Sequence, residues 1–149
     1  LIPQDASVDA FEGVCPFHKN CLEGLASGPS MNARWGVESA LDIPESHKAW
    51  DIEADYLAKA CSTYTMCLSP KRIIMGGGVM RQTHLLAKIR PKILDCLAGY
   101  IKNETVIDGI DNYVMLPGLG EDSGILGAIA LAQHAFSHRY ANDEVVYGD

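Results

Sequence analysis

What this chain lacks rules out several classes of protein. Its cysteines, Cys15, Cys21, Cys61, Cys67 and Cys96, are odd in number and scattered, so they make a poor disulfide framework and fit a reducing cytosol. Positive charge is scarce: 12 Lys and Arg against 19 Asp and Glu leave a formal net charge of -7, with no basic stripe to meet a phosphate backbone. No nucleic-acid partner is expected. No uninterrupted apolar run is long enough to cross a bilayer, so no membrane partner is expected either. The chain opens at Leu1 with no charged-then-apolar leader, and that start reads as cut. The run Gly76-Gly77-Gly78 matches neither G-x-x-x-x-G-K-[ST] nor G-x-G-x-x-G, which disfavours a P-loop and a dinucleotide fold.

What is present suits one globular unit with a real core: 149 residues, 48% hydrophobic and 21% charged. Leu1 to Val14 is polar and weakly periodic and reads as an arm. Leu22 to Ser27 reads as a short helix, and Pro29 begins a second that runs through Trp35. From Ser46 to Leu68, the positions Trp50, Ala54, Leu57, Ala58, Cys61, Tyr64, Thr65 and Leu68 recur at helical spacing and end at Ser69-Pro70. Arg72 to Met75 then reads as a short buried strand that enters Gly76-Gly77-Gly78 and a helix carrying Leu85, Leu86, Ile89, Ile93, Leu94 and Leu97. Pro91 predicts a kink or break there. The unit recurs as a strand from Tyr113 to Leu116, a turn from Pro117 to Gly120, and a helix from Ser123 to about His138. The tail from Tyr140 to Asp149 is polar and is expected to fray. Helix, strand, glycine turn, helix is an α/β pattern.

Two features carry chemistry. The segment Cys15-Pro-Phe-His18-Lys-Asn-Cys21 spaces two thiolates and an imidazole three residues apart, a donor set that suits zinc and wraps one ion in a short loop. Three ligands leave a fourth to be found, expected before Leu1. The other reading makes Cys15 and Cys21 small core residues and His18 a surface side chain. In the triple-glycine turn, backbone N–H groups stand unshielded by β-carbons, an arrangement that accepts a phosphate or lets a nucleobase lie on the chain. A plain turn is the other reading there. Gly124 and Gly127, one helical turn apart, leave a nearly bare backbone face, read either as tight helix packing or as ligand contact. Cys61, Cys67 and Cys96 read as free and largely structural.

Three motifs in order, Glu12-Gly-Val-Cys15-Pro-Phe-His18-Lys-Asn-Cys21-Leu-Glu23-Gly-Leu-Ala-Ser-Gly28-Pro29, Ile73-Ile-Met-Gly76-Gly-Gly-Val-Met80 and Pro117-Gly-Leu-Gly-Glu-Asp-Ser-Gly124-Ile-Leu-Gly127-Ala, resemble the C-terminal half of a ROK-family sugar kinase. The C-P-F-H-x-x-C variant is similar to that of the bacterial fructokinases in that family. The resemblance implies the C-terminal lobe of an actin-like, ribonuclease H-like kinase fold, incomplete here, with residues 1–21 as arm and zinc loop, 22–149 as the α/β lobe, and the N-terminal lobe absent. It implies structural zinc on Cys15, His18 and Cys21, with a fourth ligand from a Gly-His pair upstream of Leu1. It makes Glu23 a sugar-hydroxyl acceptor. Pro29, Gly76, Gly77, Gly78, Val79 and Met80 would line the nucleotide, with Gly120 to Gly124 nearby.

The implied activity is ATP-dependent transfer of the γ-phosphoryl group to a hexose, fructose to fructose 6-phosphate, in the cytoplasm, with Mg2+ accompanying ATP and a homodimer as the assembly. The D-x-G-G-T phosphate motif and the catalytic aspartate of such kinases are not among these residues, so no catalytic residue is assigned and the chain alone is expected to be inactive. Two other readings stand: the sugar-sensing domain of a ROK-type transcriptional repressor, and a zinc-stabilised interaction module with no small-molecule role.

Overall fold

The computed structural model describes the backbone of residues 1–143 and the side chains of residues 1–138. The frayed tail expected from Tyr140 to Asp149 lies largely outside the described residues. Backbone contacts divide the chain into two units, Leu1–Leu116 and Pro117–Asp149.

The first unit begins with the arm. It is held down by Ile2 N–H donating to the Asn20 carbonyl at 3.1 Å and by the Gln4 side-chain amide donating to the carbonyls of Asp9 and Phe11. Two short helices follow, α1 (Leu22–Leu25) and α2 (Gly28–Trp35). The expected first helix stops two residues early because Ser27 leaves helical geometry to cap α2: its hydroxyl accepts from Ser30 N–H while its own N–H donates to the Ser30 hydroxyl.

Helix α3 (Ala49–Leu68) buries Trp50, Ala54, Ala58, Cys61 and Thr65 along one stripe. It starts three residues later than the periodicity predicts, because His47 N–H bonds the Pro44 carbonyl in a turn. It ends at Ser69, whose φ of 45° leaves the helical region just before Pro70.

Strand β1 (Ile73–Ile74) pairs in parallel with β2 (Val114–Met115), Ile73 opposite Val114. Both strands are shorter than expected, and β1 is not buried: Ile74 is 62% exposed. Each has one partner among the described residues, and Tyr113, expected in the strand, closes a preceding helix instead. Between the strands, a 3-10 turn over Gly78–Arg81 leads into α4 (His84–Leu97), then α5 (Glu104–Ile107) and α6 (Ile110–Tyr113).

Of the kink or break expected at Pro91 the break does not occur, and helix α4 runs through it. Proline removes only the N–H that would reach the Ala87 carbonyl, and both residues lie on the exposed face, where water can take that carbonyl. Sequence periodicity did not foresee the one-turn helices α5 and α6. Asn103 caps α5 by accepting from Thr105 N–H at 2.9 Å.

Helices α3 and α4 run side by side in the same direction, as the pairs Asp51–Lys88 at 2.7 Å and Asp55–Lys92 at 3.7 Å step together. Their apolar stripes form the main core with Met31, Met80, Tyr113 and Val114. Fully burying a Trp, Leu or Ile side chain contributes about 1.5–3 kcal/mol each, which makes this interface the principal source of stability. The five cysteines are free, but only Cys61 of the last three packs in the core, its thiol pushed up to about 11 by burial. Cys67 and Cys96 are exposed, which corrects their reading as structural.

The second unit holds a 3-10 turn over Gly120–Asp122 and α7 (Ser123–Asp143), longer than expected. A β-carbon added at Gly124 or Gly127 would meet nothing within 4 Å among the described residues. Among the described residues no helix is long and apolar enough to cross a membrane.

Candidate functional site

The Cys15, His18 and Cys21 ligand atoms all lie within 4.8 Å of one another, and Cys15 Sγ stands 3.8 Å from His18 Nδ1. A zinc ion bonded at about 2.3 Å to sulfur and about 2.0 Å to nitrogen in tetrahedral array needs that separation to be about 3.5 Å. The loop is therefore close to metal-binding geometry. Donor chemistry agrees: the Cys15 thiol is pulled down to about 6, chiefly by the His18 backbone N–H, then that of Phe17, with the Cys21 and His18 side chains adding to it. A thiol that ionises near neutrality is ready to ligate a cation.

The loop keeps this shape by closing on itself. Lys19 N–H returns to the Cys15 carbonyl at 3.1 Å, Val14 N–H donates to the Gly24 carbonyl at 3.0 Å, and Lys19 takes a positive φ of 57°. The Lys19 carbonyl is wedged between two glycines. A β-carbon at Gly13 would stand 2.0 Å from its oxygen, and one at Gly24 would stand 1.7 Å from it. Neither position admits a side chain. No local sequence signal marks this contact, because it is made across the loop.

Glu23 follows the last ligand by two positions, in the first turn of α1, with an exposed side chain. Its neighbours Gly24 and Leu25 are buried, so the carboxylate projects from an anchored segment. Pro29 lies exposed in the first turn of α2. Gly76, Gly77 and Gly78 are exposed after β1, Gly77 has a φ of +93° that favours glycine, and neither Gly77 nor Gly78 has a neighbour within 4 Å of an added β-carbon. Met80 is buried in the core and Val79 packs against it partly buried, so Met80 offers a ligand only its backbone. The same cluster contains Met31 and Trp35 of α2, so one core supports α2 and the glycine turn.

A buried polar network beside the Cys15–Cys21 loop has no local sequence signal. Arg34, with its side chain 4% exposed, donates to the Leu25 carbonyl of α1 at 2.8 Å and pairs with Asp9 of the arm at 3.3 Å. Tyr56 of α3 donates to Asp9 at 2.6 Å, and the Arg34 guanidinium lies 4.6 Å over the Phe11 ring. Burial is the main cause that pushes the Tyr56 phenol above its ordinary range, followed by its bond to Asp9. Glu53, also on α3, is fully buried, and neither of its carboxylate oxygens has a hydrogen-bond partner among the described residues. Burial raises its pKa from 4.5 to about 8, against the pull of Arg34. Positions 9, 34, 53 and 56 share no sequence motif, so no local signal joins them.

Comparison with known proteins adds relatives to this geometry. The model of the family described as ROK matches residues 4–135. A fructokinase of Pediococcus pentosaceus is 42% identical over 130 residues, which are 87% of this chain and 43% of that protein. A fructokinase of Streptococcus mutans is 42% identical over 124 residues, 83% of this chain and 41% of that protein. One from Zymomonas mobilis is 40% identical over 123 residues, 82% of this chain and 40% of that protein. The chain spans less than half the length of each of these relatives.

Proposed function

The chain belongs to the ROK family, and from that premise we propose that it is the C-terminal lobe of an ATP-dependent, fructokinase-like hexose kinase with the actin-like kinase fold. The pre-shaped Cys15, His18 and Cys21 group, set two positions before an exposed carboxylate, carries this reading. Zinc, bound there, braces the loop. Its role is structural, and the chemistry of transfer lies elsewhere. Glu23 accepts hydrogen bonds from the sugar hydroxyls through two carboxylate oxygens. Pro29 and the backbone of Gly76, Gly77, Gly78, Val79 and Met80 face the nucleotide. The unshielded N–H groups at Gly77 and Gly78 support that side of the assignment. Relatives named fructokinase favour the kinase over a sugar-sensing repressor domain and point to fructose as the hexose.

The γ-phosphate, the Mg2+ that accompanies ATP and the catalytic base are handled by the N-terminal half of the same protein, so the 149 residues alone have no kinase activity. A cytoplasmic homodimer completes the proposal.

A sugar-panel kinase assay on the full-length protein, paired with metal analysis of Cys21→Ser, tests both parts. Phosphorylation of fructose with ATP, together with zinc lost in Cys21→Ser, is the expected result. Zinc content unchanged by the substitution would return the cysteines to the core, and no transfer to any hexose would overturn the kinase assignment.

A further inference from the structure

Helix α7 carries a pair of imidazoles. His134 and His138 are one helical turn apart and both exposed, and their Nε2 atoms stand 3.0 Å from each other with the rings 4.2 Å apart between centroids. Helix geometry explains the meeting, since residues i and i+4 lie one above the other on the same face. Two nitrogens so close need something between them: if both present lone pairs they repel, and only a proton or a cation resolves that.

The separation also fits a bound metal. Two nitrogens at about 2.05 Å from one ion stand about 2.9 Å apart at a right angle and about 3.3 Å apart at the tetrahedral angle. The observed 3.0 Å lies within that interval. Both imidazoles are exposed among the described residues, so little desolvation opposes binding.

We propose that His134 and His138 form a bidentate surface site for a borderline divalent transition-metal ion such as Ni2+, Cu2+ or Zn2+, bound through both Nε2 atoms and bridging successive turns of α7. The site is independent of the Cys15 loop and of the kinase assignment. Mg2+ does not bind there, because it selects oxygen ligands and octahedral hydration.

The test titrates Ni2+ by calorimetry into the untagged full-length protein with its loop zinc already in place, with zinc content checked afterwards. One Ni2+ equivalent is expected. His134→Ala and His138→Ala should each weaken it at least about tenfold, because the second imidazole acts at high effective concentration. His47→Ala serves as the control and should leave it unchanged. Far-UV circular dichroism confirms that the variants keep their helix content. Binding that both variants retain, or a wild-type protein that takes up no Ni2+, would overturn the proposal.

Discussion

Replacing Glu53 by Gln should make the protein more stable at alkaline pH and leave it nearly unchanged at pH 4.5. The carboxyl is fully buried on α3 without a hydrogen-bond partner among the described residues, and burial raises its pKa from 4.5 to about 8. Below pH 4.5 both the folded and the unfolded chain carry the proton, and the group has no effect on stability. Between 4.5 and about 8 the unfolded chain releases a proton that the folded chain keeps, so stability falls as pH rises, by about 1.4 kcal/mol per pH unit. The penalty reaches about 3 kcal/mol at pH 7 and about 5 kcal/mol above pH 8. Gln has nearly the same shape and cannot ionise, so it removes the slope. Urea unfolding of wild type and Glu53→Gln in the full-length protein, followed by circular dichroism from pH 4.5 to 8.5, measures the difference directly. The variant should gain on wild type steadily across that range. Parallel curves would refute the reasoning, and a variant less stable at every pH would show that Glu53 is folded as a paired carboxylate beside Arg34.

Two further outcomes follow from the loop and its network. Gly24→Ala should strip the loop of zinc and destabilise the protein by about 3 kcal/mol or more, since its β-carbon would stand 1.7 Å from a backbone oxygen that cannot swing aside. Gly28→Ala, where nothing lies within 4 Å, is the control, and thermal unfolding with metal analysis separates the two. Tyr56→Phe removes the 2.6 Å bond to buried Asp9 and should cost about 1.5–3 kcal/mol in urea unfolding, with zinc content retained.

Much of the candidate site was legible because it is local. The three residues that could hold a metal sit within seven consecutive positions, so a short loop brings them together whatever the rest of the chain does. Helix α3 was readable for a similar reason, its apolar stripe recurring through twenty residues. The same logic failed where a partner elsewhere decides the outcome. The strands β1 and β2 came out two residues long, and Pro91 left α4 whole because the carbonyl it frees faces water. Composition could not separate Cys61, which packs in the core, from Cys67 and Cys96 on the surface.

By itself the sequence determined the donor set, the glycine turns, the order of the main helices and, through its motifs, the family. Tertiary structure alone decided that the Lys19 carbonyl is held between Gly13 and Gly24, and that Asp9, Arg34 and Tyr56 join the arm to α1 and α3. It also decided that Glu53 is buried without a hydrogen-bond partner among the described residues. The division is physical: ligand spacing and helical periodicity are written in neighbouring residues, whereas steric exclusion, desolvation and long-range pairing depend on atoms that the chain brings together only when it folds.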